Sequence, residues 1–204
     1  MTDPLPDHMF NRPDDSADEA FYATPRMVKH IDDATISEIT RFYEEILTSE
    51  DELLDLMSSW ISHLPEAVTY RKVTGLGMNL DELNANARLD QTLVHNLNKT
   101  PTLPFPDASF NAVMIVVSIQ YLTRPFEVFA EIQRVLKPGG KCIVAMSHRL
   151  FPTKAVYAFQ TLAPQDRVQL VKEYMRQGGL SKIEFIDRSP EKADPLWIIQ
   201  GINA

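Results

Sequence analysis

The stretch Leu103–Gly140, LPFPDASFNAVMIVVSIQYLTRPFEVFAEIQRVLKPGG, decides the fold. Its lead-in, Leu103-Pro104-Phe105-Pro106-Asp107, carries two prolines and reads as a turn. Phe110 to Val117 follows, a β-branched apolar run of strand length that barely alternates. Both faces of such a strand are buried, as in a parallel sheet. Pro125 to Leu136 has helical spacing: Pro125 suits a first turn, and Phe129, Ile132, Val135 and Leu136 form one apolar stripe. Lys137-Pro138-Gly139-Gly140 stops that helix, and Cys142 to Met146 is a second apolar strand. Strand, crossover helix and parallel strand make a right-handed βαβ unit.

Working outward, the same signals recur. Ile36 to Leu47 is an amphipathic helix with Ile36, Ile39, Phe42, Tyr43, Ile46 and Leu47 on one face, and Asp32, Asp33 and Thr35 are candidate N-caps. Leu53 to Met57, Tyr70 to Gly77 and Thr92 to Leu97 read as the first three strands, with a short helix over Leu80 to Ala87. Beyond the opening unit, Lys154 to Leu162 and Gln165 to Gln177 read as helices separated at Ala163-Pro164. Leu180 to Asp187 and Leu196 to Ile202 are two last strands joined by a short turn-rich connection. Seven strands and interleaved helices predict one α/β domain over 21–204. Within it, 21–50 forms an N-terminal lid and helix.

At 204 residues the chain is long enough for one such domain and short for two. Residues 1–20 are rich in Asp and Pro and weakly apolar, so they read as a mobile acidic tail. They show neither a signal-peptide nor a transit-peptide pattern. No run approaches the roughly 20 apolar residues of a membrane span. The net charge of −8, with no Lys/Arg block, argues against nucleic acid as a partner. The single cysteine, Cys142, falls in a buried strand as an inert thiol. That fits a reducing, cytoplasmic setting.

The ordered string LPFPDASFNAV…YLTRPFEVFAEIQRVLKPGG resembles the second half of class I S-adenosylmethionine-dependent methyltransferases of the small-molecule type. The resemblance implies a Rossmann-like, mostly parallel sheet with helices on both faces and strand order 3-2-1-4-5-7-6, the seventh strand antiparallel. It also implies S-adenosyl-L-methionine as cofactor and a small-molecule methyl acceptor as partner.

In an open parallel sheet the ligand sits beyond the carboxyl ends of the strands, beside the first. There the chain reads Asp55-Leu56-Met57-Ser58-Ser59-Trp60. The family usually has a glycine-rich loop at this point. Asp55 matches its acidic residue, but Met57, Ser58 and Ser59 replace the glycines. Either Ser58 and Ser59 present N–H groups and hydroxyls to the methionine carboxylate at a helix N-terminus, or Cβ atoms close the site and the fold persists without the cofactor.

After the second strand the family places a carboxylate for the ribose hydroxyls. This chain has Gly77, followed by Met78 and Asn79. Asn79 can bond the ribose, Asp81 or Glu82 can reach back, or Asn79 simply caps the next helix. After the third strand, Asn96-Leu97 matches the segment that holds the adenine, with Asn96 accepting its amino N–H or merely ending the strand. Ser118, at the end of the fourth strand, completes the cofactor set.

No histidine among His8, His30, His63, His95 and His148 has a partner at metal-ligand spacing, so no metal site is expected. Neither G-x-S-x-G nor G-x-G-x-x-G occurs. Acceptor-side residues are expected at the ends of strands four and five: Gln120 and Tyr121, then Ser147, His148 and Arg149. His148 is the general-base candidate and Tyr121 a second catalytic candidate. Tyr22, Arg26 and His30, from the segment before the first core helix, are expected over the mouth as a lid.

Overall fold

The computed structural model describes residues 5–204. A seven-stranded sheet forms its centre: β1 Glu52–Ser58, β2 Lys72–Gly77, β3 Gln91–Val94, β4 Phe110–Val116, β5 Leu136–Met146, β6 Ser181–Asp187 and β7 Trp197–Ile202. The order is β3-β2-β1-β4-β5-β7-β6. Strands β1 to β5 are parallel, and β7 runs antiparallel to both β5 and β6. Fold class, strand order and hairpin agree with the sequence expectation.

β4 shows why its sequence lacks alternation. Val113 and Ile115 pack into one core, against Val128, Phe129 and Ile132 of α4 (Pro125–Val135) and Val171 and Tyr174 of α6 (Pro164–Gln177). Ala112 and Met114 pack into the opposite core, against Ile39, Phe42 and Tyr43 of α2 (Asp33–Ile46). Each of these α2 side chains is almost wholly buried, and each such burial stabilises by roughly 1.5–3 kcal/mol. Asp32 caps α2 by accepting from the Thr35 N–H at 2.9 Å.

Several boundaries differ from the sequence reading. β5 begins at Leu136, because Lys137 to Gly140 continue as extended chain beside the start of β4; Leu136 already pairs with Phe110. β3 is shorter than Thr92–Leu97 suggested and ends at Val94. The helix expected over Lys154–Leu162 is only Tyr157–Thr161 (α5), preceded by turns that bury Lys154 completely. The short helix after β2 (α3) covers Leu80–Ala85.

The largest difference lies between β1 and β2. No helix occupies residues 59–71, and the chain crosses as an irregular loop that still buries Leu64 and Tyr70 in the α2 core. The helix N-terminus that one of the two readings placed at Ser58-Ser59 is therefore absent. Pro65 and the left-handed backbone of His63 (φ 55°) are incompatible with a continuous helix there.

Residues 5–20, read from composition as a mobile tail, lie packed on the domain; residues 1–4 of that tail fall outside the described residues. A 3-10 turn spans Asp7–Phe10 and a short helix, α1, spans Asp18–Phe21. The Asp14 N–H donates to Thr153 O at 2.9 Å, and the Tyr157 N–H donates to Asn11 O at 2.8 Å. The Lys154 ammonium lies 3.2 Å from Asp14 and 3.5 Å from Asp18, and Asp18 also pairs with Arg12 at 2.7 Å. Hydrophobicity statistics undercount this kind of ordering, because polar contacts to a buried lysine carry it.

Candidate functional site

At the carboxyl ends of β1, β2 and β4, where the strand order reverses, the chain encloses a cavity of about 350 Å³. Five segments build it: the loop after β1, the start of α3, the turn after β3, the end of β4 and the loop after β5. The segment ahead of α2 lies across them.

From β1 come Asp55, Met57, Ser58 and Ser59, followed by Ile61 and His63. Asp55 is nearly inaccessible, and its carboxylate accepts from the Ser58 and Ser62 hydroxyls, each at 2.6 Å. Burial pushes its pKa up to about 6, against the pull of the two hydroxyls. Met57 (φ 60°) and, at the end of β4, Val117 (φ 49°) both hold left-handed backbone that a non-glycine residue adopts only under constraint. Both line the cavity. Strained backbone here stands where glycines would have made the same turn freely.

Gly77, which stands where the family places its carboxylate, lines the cavity. A Cβ there would lie 2.2 Å from the Ser58 carbonyl oxygen, so its role is the close approach of β2 to the end of β1. Asn79 caps α3: its Oδ1 accepts from the Asp81 and Glu82 N–H groups, and its Nδ2 donates to Tyr22 O and Ala23 O. Those bonds use both its donors, so the capping alternative is the one seen. Glu82 does reach back to the cavity. Its carboxylate accepts from the Ser59 hydroxyl at 2.6 Å and from the Arg26 N–H at 2.7 Å.

Met78, Asn96 and Leu97 line the cavity as expected, but the Asn96 Oδ1 already accepts from the N–H groups of Asn98 and Lys99. Ser118 also lines it, with a buried hydroxyl that has no partner among the described residues.

The segment ahead of α2 contributes to the lining. Tyr22, Arg26 and His30 all line the cavity. The Trp60 indole N–H donates to Val28 O at 3.0 Å, tying the loop after β1 to this segment. The Arg26 guanidinium sits 4.3 Å from the Phe21 ring centre and 5.6 Å from that of Phe151, and donates to Phe21 O and Thr24 O. It meets no carboxylate at ion-pair distance among the described residues. Tyr121 stacks on Phe151 at 5.7 Å, and its hydroxyl accepts from the Phe151 N–H. Burial raises the pKa of both Tyr22 and Tyr121.

The acceptor-side residues divide. Tyr121 and Arg149 line the cavity; Gln120, Ser147 and His148 do not. The Gln120 amide is spent on Val117 O and Arg149 O. His148 is more than half exposed and lies 3.2 Å from Asp194, which also holds Arg149. β5 delivers His148 to the rim beside the β6–β7 connection, and a general base there would be outside the cavity. Sequence reasoning also left out Asp18, His63, Asn98 and Phe151, all on the cavity. Only His63 had a local signal, its place in the run after β1.

A family model described as Methyltransferase domain matches residues 58–144, from the end of β1 into β5. Over that segment the chain is similar to the methyltransferase domain, and its strand order is the one the sequence resemblance implied. The demethylmenaquinone methyltransferase of Renibacterium salmoninarum is 37% identical over 87 residues, which are 42% of this chain and 37% of that protein. Well under two thirds of that relative is therefore covered. Among solved structures, the 4+2 cyclase SpnF aligns over 80% of this chain and 79% of its own, with TM-score 0.60 and 16% identity. Phosphoethanolamine N-methyltransferase 2 of Haemonchus contortus, in complex with S-adenosyl-L-methionine, aligns over 82% of this chain and 51% of its own, with TM-score 0.58 and 15% identity. At these identities the likeness is one of fold.

The side chains present fit such a cofactor. Among the described residues Arg26 presents a cation with no carboxylate partner, Asp55 a buried carboxylate and Glu82 a second carboxylate, charges that suit the carboxylate, ammonium and ribose hydroxyls of such a cofactor. The unpartnered Ser118 hydroxyl adds one polar atom that a ligand would satisfy.

Proposed function

We propose that this chain binds S-adenosyl-L-methionine in the cavity beyond β1, β2 and β4 and directs methyl transfer to a small-molecule acceptor. The observation that carries the proposal is the charge arrangement in one cavity: Arg26, whose guanidinium meets no carboxylate among the described residues, with the carboxylates of Asp55 and Glu82 on the same lining. The cofactor, when bound, supplies an already activated methyl group. The chain's tasks are then to hold the acceptor in line, exclude water and manage any proton that the acceptor gives up.

Tyr22, Tyr121 and Phe151 give the acceptor side flat apolar walls, and Arg149 stands at its edge. The aromatic walls suit a planar ring, consistent with the quinone named for the Renibacterium relative. The net charge of −8 supports a partner that is neither nucleic acid nor an anionic membrane surface. No helix among the described residues is long and apolar enough to cross a membrane. The segment Phe21–Asp33 acts as the lid, closing over the ligand.

A second reading, ligand binding without methyl transfer, is favoured by one observation: the loop after β1 has neither the glycines nor the following helix that usually receive the cofactor. The cyclase among the fold neighbours shows that the fold alone does not fix the reaction. Calorimetric titration of the full chain with S-adenosylmethionine separates the two. Micromolar binding that is lost in Ser59→Trp supports the enzyme reading. Absence of binding by the parent chain overturns it.

A further inference from the structure

His63 has no role in the reading above, yet four observations meet on it. It lines the cavity. Its Nδ1 is shielded from solvent and has no hydrogen-bond partner among the described residues. Its backbone is left-handed (φ 55°), a conformation that a residue with a Cβ holds only when its surroundings enforce it. Here the enforcement is visible: Thr40 of α2 donates to the His63 carbonyl at 2.9 Å, and the neighbours Ser62 and Leu64 are both buried. The chain thus spends strain to set one imidazole against the cavity, on the very loop that replaces the missing helix.

We infer that His63 is the group that accepts a hydrogen bond from the O–H or N–H of the methyl acceptor and takes its proton on the imidazole as the methyl is transferred. This deepens the methyl-transfer reading and rests on it. The acceptor atom's lone pair forms the new bond to the methyl carbon. The carbon–sulfur bond breaks and its electron pair stays on sulfur. The acceptor's X–H bond breaks, its electron pair stays on X, and the proton ends on the imidazole. One positive charge is present throughout: on the sulfonium before the step, on His63 after it.

That conservation of charge explains how a poorly basic histidine can serve. In the free chain burial pushes His63 down to about 4, helped by His30 and Lys29, the charged or titratable groups that face it. A nearby sulfonium disfavours the imidazolium further. Its conversion to a thioether removes that penalty at the moment the proton has to move. A group on the exposed rim, such as His148, would be screened by water from the same effect.

The test follows the His63 ring by long-range ¹H–¹⁵N correlation on the labelled full chain. His63→Gln identifies its resonances, and a thermal melt of that variant verifies folding. pH titrations are run with saturating S-adenosylmethionine and with saturating S-adenosylhomocysteine, binding of each being verified by calorimetry. The expected result is a protonation constant at least about tenfold weaker beside the sulfonium than beside the thioether. Binding of both ligands with the same His63 midpoint overturns the role of His63 and leaves the cofactor reading standing. Absence of binding by either ligand overturns both.

Discussion

Asp55 shows how one side chain couples stability to what the cavity holds. Its carboxylate is enclosed beside two serine hydroxyls, with no cation at ion-pair distance among the described residues. Its pKa is raised from 3.8 to about 6, so the folded chain binds the proton more tightly than the unfolded one. The stabilising contribution is therefore present in full below pH 3.8 and lost as pH rises through 6. At neutral pH the ionised form costs about 3 kcal/mol. Asp55→Asn should then be more stable than the parent at pH 7.5 by up to that amount, relative to the same comparison at pH 4. Urea unfolding at both pH values measures the difference, and an unchanged gap between variant and parent would show that burial does not set this group's titration. Gly77→Ala should cost about 1–3 kcal/mol by the same assay, because the new methyl has to displace the Ser58 carbonyl.

At the scale of elements, the segment ahead of α2 carries the interest. It is tied to α3 through Asn79 and Glu82, to the loop after β1 through Trp60, and to the β6–β7 connection through Asp32 and Asp194. Upstream of it, residues 11–18 are fastened around the buried Lys154. Lys154→Met leaves Asp14 and Asp18 without that cation. It should weaken the fastening by about 3 kcal/mol, the scale for removing one partner of a buried pair. Amide exchange in residues 11–22 should quicken, while β4 and β5 keep their protection. Equal protection of residues 11–22 in variant and parent would place the ordering elsewhere. The same method addresses the lid. S-adenosylmethionine should raise protection over residues 21–33, and protection that is already maximal without it would mark a permanently packed arm.

At the scale of the molecule, a ligand that binds only the folded chain stabilises by mass action. S-adenosylmethionine at 100 times its dissociation constant should add about 2.7 kcal/mol. For a chain of this size that raises the melting temperature by roughly 5–10 °C. Differential scanning fluorimetry with S-adenosylmethionine, S-adenosylhomocysteine and adenosine reads this directly. A shift with adenosine equal to that with the full cofactor would argue against Arg26 and Asp55 as the pair that holds the methionine end.

The sheet was legible in the sequence because burial on both faces writes continuous apolar runs, and the run from Phe110 through Met146 leaves one arrangement of strand, helix and strand. The two-sided core follows from that pattern; the strand order and the antiparallel last strand were what the family resemblance implied, and the short β6–β7 connection agrees with them. The lining of the cavity was legible where a residue is fixed by its place at a strand end, as with Asp55, Met57 and Ser118, and in the segment ahead of α2, as with Tyr22, Arg26 and His30. Elsewhere the tertiary structure decided. Asn79 and Asn96 have amides that suit a ligand, but nearby backbone N–H groups occupy them first, and a single sequence does not show that competition. His148 and His63 are the same residue type. Which one reaches the cavity depends on the absence of a helix after β1, where Pro65 interrupts the chain, and on a left-handed turn at position 63 that packing against α2 holds in place. The order of residues 5–20 came from Lys154, more than a hundred positions away, because a buried ammonium has to collect partners from wherever the fold brings them.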